Sequence, residues 1–246
     1  MAVMIPDNVQ DFCTDGERQF YGFLKAVAKP GSKYLVWYLP DVNGREPDFI
    51  LFCKETGLVI FEVKDWALDQ IRGANPQNFT LTVNGCHEER ESPLKQAKNY
   101  CRILMDKIRE DRRLVSKEPY HAGNPKIPIH EGVVFPNINK YEYISQAFDQ
   151  VIGADRVFFW DDLHPQSDIS RDPSGQCFAA ALQQKFNASF HFNLTPDELN
   201  HLRQLIFPVV RIELPNRNPA AQHEKQQNRI KMLDHNQEAI ARKIDG

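Results

Sequence analysis

The chain has 246 residues, 41% of them hydrophobic and 26% charged, which is enough apolar material for one large domain with an appendage and too much for wholesale disorder. A net charge of −3 and a pI near 6.2 supply no general grip on nucleic acid, so any such grip has to come from a local patch. Five cysteines without a CxxC spacing and eight histidines without an HExxH motif argue against a disulfide framework and a zinc ribbon, and fit a reducing cytosol. The first ten residues have neither a basic start nor an apolar run, which excludes a signal peptide there. No apolar run approaches the ~20 residues needed to span a bilayer. These features set the expectation of a cytoplasmic protein without a membrane partner.

In chain order, a helix is predicted from Thr14, because Phe20, Leu24 and Val27 form one apolar stripe that Pro30-Gly31 ends. Lys33 to Leu39 reads as a strand and Asp41 to Arg45 as a turn. Asp48 to Lys54 and Leu58 to Lys64 read as two strands joined at Glu55-Thr56-Gly57, a three-residue hairpin loop with glycine in the left-handed position. A second hairpin turns at Asn84-Gly85 after a strand over Phe79 to Val83. A long helix follows Ser92-Pro93, with Leu94, Ala97, Cys101, Leu104 and Ile108 on its core face. Ile129 to Phe135 and Val157 to Trp160 read as strands, and Ser174 to Phe186 and Thr195 to Phe207 as helices, the last with a Thr195/Glu198 capping box. Pro215 to Pro219 resembles a linker, and Gln222 to Ile244 is polar and helical in tendency. Helix, three strands, helix, strand is the order of an α/β sandwich with a mixed sheet, not of a βαβ array.

The chemistry concentrates between Pro47-Asp48 and Glu62-Val63-Lys64. Glu62 and Lys64 are two apart on one strand, so they share a face with Leu58 and Ile60, and they sit at the mouth of a core. Charges placed there need a metal or an ion pair. With Glu55-Thr56-Gly57 as the loop, residue 54 pairs with 58 and 48 with 64, which puts Asp48 on the same face; a two-residue loop would set it opposite Asp65 and on the other face. Asp48 and Glu62 together make a hard oxygen site of the kind Mg²⁺ or Mn²⁺ prefers, with Lys64 able to orient a water and offset charge on a phosphate. An Asp/Glu-x-Lys pattern is also compatible with a salt-laced sheet edge.

Glu17 lies on the apolar face of the first helix, where it either points into this site or closes a Thr14-x-x-Glu17 capping box. Gln96 and Tyr100, four apart on the long helix, either touch the site or flank its apolar stripe. The same helix and its extension carry Lys95, Lys98, Arg102, Lys107, Arg109, Arg112 and Arg113, either a phosphate-binding patch or a solvated face. Asp161-Asp162 reads as a capping loop and Trp66 as a plug at the sheet end.

Pro47-Asp48-Phe-Ile-Leu-Phe, followed by Gly57-Leu-Val-Ile-Phe-Glu62-Val-Lys64-Asp-Trp66, resembles the nuclease-related (NERD) branch of the PD-(D/E)XK nucleases, and Glu17 and Gln96-x-x-x-Tyr100 resemble its flanking helical motifs. The likeness covers roughly residues 14 to 110. It departs from the pattern where many members have Ile-Asp-His and this chain has Pro47-Asp48-Phe49. The resemblance implies a restriction-endonuclease-like core with a mixed central sheet flanked by helices, to which a helical C-terminal extension is added. It implies DNA phosphodiester cleavage with Mg²⁺ or Mn²⁺ on Asp48 and Glu62, Lys64 as catalytic lysine, and supporting roles for Glu17 and Gln96. Lys95, Lys98, Tyr100 and Arg102 are the expected nucleic-acid contacts.

Leu233 to Ile240 resembles the adenine-reading Q motif of superfamily I helicases, with Gln237 as the ATP contact, although no GxxxxGK[ST] occurs in the sequence. The expected organisation is therefore a nuclease core over 1–136, an additional α/β region over 137–214, and a linker with the start of a helicase motif over 215–246, the motor lying in cis beyond residue 246. The alternative is a catalytically inactive nuclease-fold module that binds nucleic acid or a partner protein.

Overall fold

The computed structural model describes residues 1–208 and two short strands, Val210–Ile212 and Ile230–Met232, paired antiparallel. Gln237 and the rest of the Q-like stretch lie outside the described residues. Within the segment expected to be helical, Ile230–Met232 is extended instead, in keeping with the β-branched residues Val210, Ile212 and Ile230 in the paired strands.

Six strands form the central sheet: β1 (Val3–Ile5), β2 (Tyr34–Tyr38), β3 (Phe49–Cys53), β4 (Gly57–Val63), and, after a long excursion, β8 (Ile129–Phe135) and β9 (Val157–Phe159), lying side by side in that order. The sheet is mixed. β1/β2, β4/β8 and β8/β9 are parallel, while β2/β3 and β3/β4 are antiparallel. Its central strands are buried on both faces, hence the near-continuous apolar runs YLVWY, FILFC and GLVIFEV.

Alternation along β4 divides the core. Val59, Phe61 and Val63 pack under α1 (Asp15–Val27) and α6 (Gln176–Lys185), through Phe20, Leu24, Phe178 and Leu182. Leu58 and Ile60 face the opposite way, against α2 (Pro93–Glu110) and α7 (Pro196–Ile206), through Cys101, Leu104, Ile108, Leu202 and Ile206. Burying Phe20 and Leu24 completely contributes about 1.5–3 kcal/mol each, so the spacing read from the sequence is also the energetic reason that α1 docks. The Thr195/Glu198 capping box forms at the start of α7.

A separate three-stranded sheet, β5 (Ile71–Ala74), β6 (Asn78–Val83) and β7 (Cys86–Glu91), leads into α2. Its hairpin turns through Asn84 and Gly85, both at positive φ, as an Asn-Gly turn requires. Phe79 and Leu81 bury one face beside Phe135 and Tyr143, and Trp66 packs at a tilt against Phe79 and Phe135. Residues 137–208 complete the main core: β9 pairs with β8, and α6 and α7 cover opposite faces. Trp160 begins the short helix α4 (Trp160–Leu163) and is not the end of a strand. Among the described residues no helix is long and apolar enough to cross a membrane.

The β3/β4 hairpin differs from its expected register. Cys53 pairs with Gly57 and Phe49 with Phe61, so the loop is Lys54-Glu55-Thr56 and the partner of residue 48 is 62, not 64. Gly57 explains the shift. It opens β4 at φ +101°, and a Cβ there would lie 2.4 Å from the Pro128 carbonyl oxygen, which accepts from Leu58 N at 2.9 Å and starts the β4/β8 ladder. A two-residue slip preserves parity, so Asp48 stays on the face of Glu62 and Lys64. Gly57→Ala is expected to cost about 1–3 kcal/mol through the forced φ and the Pro128 contact. Denaturant unfolding with an unchanged midpoint would contradict this account of the hairpin.

Candidate active site

β4 ends in Glu62-Val63, with Lys64 directly after it, at the end of a central strand flanked by β3 and β8. Asp48, the residue before β3, is fixed by its backbone, whose carbonyl accepts from Leu39 N at 3.0 Å, and by its side chain, whose Oδ2 accepts from Val63 N at 2.7 Å. Glu62 is only 4% exposed although it is an acid on the α2 side of the sheet. Its Oε1 accepts from Lys64 Nζ at 2.6 Å, and its Oε2 is buried with no hydrogen-bond partner. Lys64 keeps about a fifth of its side chain exposed (21%), so it reaches from the buried acid toward solvent.

Electrostatics mark this pair as strained in its present charge state. Burial pushes the Asp48 carboxyl up to about 7, the neighbouring Glu62 charge pushes the same way, and the Val63 N–H and Lys64 oppose it. Burial likewise raises Glu62; Lys64 pulls it back, while Glu17 and Glu91 add repulsion. Neighbouring carboxylates that raise one another's pKa are common where a cation is held or a proton is moved.

Glu17 combines both of its anticipated roles in part. Thr14 caps α1 by accepting from Glu17 N at 3.2 Å, and its hydroxyl donates to Glu17 Oε1 at 3.0 Å; the acid does not return to a backbone N–H as a full capping box would. Glu17 Oε2 accepts from the Tyr38 hydroxyl at 2.6 Å. Its charge acts on both Asp48 and Glu62 from the α1 side.

Sequence reasoning did not single out several residues that organise this end of the sheet. Tyr38, at the end of β2 and paired with Phe49, holds Glu17. Asp65 follows Lys64 directly and accepts from Gly16 N at 2.9 Å through Oδ2, tying the start of α1 to the exit of β4. A Cβ on Gly16 would lie 1.8 Å from Asp65 Oδ1, so the close approach needs glycine. Glu91, at the end of β7, acts on Glu62 and Tyr100 and pairs with Lys95 at 3.0 Å. The available signal was adjacency: Asp65 flanks the motif, and Glu91 precedes Ser92-Pro93.

α2 brings Gln96 and Tyr100 to the same region. Gln96 Oε1 is buried without a partner, and Tyr100 is pushed up to about 12, first by burial and then by Glu62 and Asp48. Lys98 and Arg102 are exposed on α2 with no ion pair among the described residues. Further along, Arg109 pairs with Asp106 and Arg113 with Asp111, which makes that stretch a mixed solvated face. Asp161 caps the helix Lys140–Ser145 through Asn139 and Lys140 N, as a capping loop should.

This architecture, a mixed sheet with an acid-acid-lysine set at one strand mouth, defines a nuclease-like α/β core. The family model described as the nuclease-related domain matches residues 14–136, half of the chain, and the chain belongs to that family. No curated protein and no solved structure matches it. Among the described residues no group of three or more His, Cys, Asp or Glu side chains is arranged to hold a metal ion.

The Asp48 shift gives a pH test. Its folded pKa of about 7 exceeds the ordinary 3.8, so the folded state holds the proton more tightly. In cation-free buffer that stabilisation is complete below the ordinary value and is lost as pH rises through about 7. Between roughly pH 4 and pH 8, wild type should therefore lose on the order of 1–4 kcal/mol relative to Asp48→Asn. Parallel unfolding free energies across that range would contradict the shift.

Proposed function

We propose that the chain is a metal-dependent nuclease domain that hydrolyses DNA phosphodiester bonds, with Asp48 and Glu62 as cation ligands and Lys64 as the catalytic lysine. The observation that carries this reading is Glu62: a buried acid with one oxygen held by Lys64 and the other without a partner. An unpartnered buried carboxylate oxygen is costly unless a further group satisfies it. Beside Asp48, a divalent cation is the group that fits. Mg²⁺ and Mn²⁺ need few protein carboxylates because waters and substrate phosphate oxygens complete their shell, so a two-carboxylate donor set suffices without a cage.

The cation would supply Lewis acidity toward the phosphate and the attacking water. The chain's own residues do the rest. Lys64 Nζ, held at 2.6 Å from Glu62 Oε1, is placed to donate to a non-bridging phosphate oxygen as charge grows there. Water adds to phosphorus and gives up a proton to solvent, the bond to the leaving sugar oxygen breaks, and that oxygen takes a proton from solvent. Glu17, clamped by Tyr38 and Thr14, keeps a third acid close to the pair and sustains its demand for positive charge. Gln96 Oε1, also unpartnered, and Tyr100 are available to the substrate or its waters. Lys95, Lys98 and Arg102 would offer phosphate contacts along α2, with Lys95 the weakest candidate because Glu91 already pairs with it. The Q-like stretch around Gln237 supports a place in front of a helicase motor.

The test is cleavage of supercoiled plasmid and of labelled single-stranded DNA with Mg²⁺ or Mn²⁺. Wild type is expected to cleave, Asp48→Ala to be inactive, and Lys64→Ala to lose about 10²–10³-fold in kcat. DNA binding without cleavage by wild type would favour a binding module built on the nuclease fold.

A further inference from the structure

The loop that delivers Asp48 also carries an unassigned cation. Between β2 and β3, Val42 N donates to Arg45 O at 2.8 Å and Arg45 N returns to Val42 O at 3.2 Å. Asn43 (φ +55°) and Gly44 (φ +73°) fill the two central positions, the paired left-handed geometry of a tight Asn-Gly turn. Gly44 N is further held by Asp41 Oδ1 at 2.6 Å. Both shoulders are sunk in the protein: Val42 is 1% exposed within the α2-side core, and Pro47 is buried. A segment this firmly anchored presents two long side chains, Arg45 and Glu46, to solvent, and Arg45 is its cation.

Charge accounting at the site explains what that side chain is free to do. Lys64 is committed to Glu62 at 2.6 Å and Lys95 to Glu91 at 3.0 Å. Arg45 makes no hydrogen bond or ion pair through its guanidinium among the described residues. It is near enough to Tyr100 for its charge to act on that hydroxyl, against the opposing effects of Glu62 and Asp48. Val42, at one shoulder of the turn, and Tyr100 belong to the same apolar cluster, so the turn sits on the α2 side of the sheet, three residues ahead of Asp48. A mouth lined by Asp48, Glu62, Glu91 and Glu17 repels a polyanion, so the approach of a phosphodiester chain needs an uncommitted cation on a rigid support. An arginine fits best, because its planar fork pairs with two phosphate oxygens at once.

We infer that Arg45, presented by the Asn43-Gly44 turn three residues before Asp48, is a backbone-phosphate contact that seats the nucleic-acid strand over Asp48 and Glu62. This deepens the nuclease reading and rests on it. The contact reads no base, so its loss weakens all sequences alike.

The experiment is anisotropy of a fluorescein-labelled oligonucleotide with the full chain in EDTA, where turnover is blocked, over a series of salt concentrations. Arg45→Ala is expected to bind about ten-fold more weakly at low salt. The slope of log K against log salt should fall by about 0.7 on single strands or about 0.9 on duplex. Arg45→Lys, which keeps the point charge, should retain the slope while losing part of the affinity. Wild-type binding with the same slope in Arg45→Ala overturns this contact and leaves the nuclease reading standing. Wild type that binds neither DNA form overturns both.

Discussion

Two carboxylates face each other across the β3/β4 hairpin with too little positive charge between them, and the rest of this end of the molecule is arranged around that constraint. Asp48 and Glu62 occupy one face because the hairpin register places residue 48 opposite 62. Their burial is imposed by the sheet, since Leu58 and Ile60 continue the same face into the core under α2. Lys64 satisfies one oxygen of Glu62 and leaves the other bare. Breaking a buried charge pair on one side costs several kcal/mol, so a fold built only for stability would favour an apolar residue at position 62. The unpartnered acid at position 62 is the observation on which the nuclease proposal rests.

The supporting structure holds the acids from both layers of the sandwich. On the α1 side, Asp65 anchors Gly16, which sets the start of the helix, and Tyr38 and Thr14 then fix both oxygens of Glu17. On the other side, α2 brings Tyr100 near the pair, with Gln96 one turn before it, and the small β5–β7 sheet sets the start of α2 and brings Glu91 with it. Sheet, helices and loops therefore all converge on one strand mouth, although the residues come from positions 14 to 100 of the chain.

Much of this could be read in advance where a local rule decided it. The stripes of α1 and α2, the strand β8 and the Asn84-Gly85 turn follow from periodicity and turn chemistry. The site triad was legible because Glu62 and Lys64 interrupt an apolar strand at spacing two, a feature that burial makes expensive. The exact pairing of Asp48 was not, because Gly57 works as the first strand residue under a constraint from Pro128, some seventy positions away. β1 escaped notice because three residues carry little periodic signal and its partner β2 is distant in sequence. Tyr38 and Asp65 matter through contacts that exist only after the sheet is assembled, so residue type alone could not mark them.

The most direct test of the central claim is calorimetric titration of the full chain with Mn²⁺, comparing wild type, Glu62→Gln and Lys64→Ala. The account predicts a site in wild type, a much weakened one in Glu62→Gln, and a retained one in Lys64→Ala, because the lysine competes with the cation for Glu62 and does not ligate it. Absence of any site in wild type, or equal loss in both variants, would contradict the assignment of the two acids as a cation site.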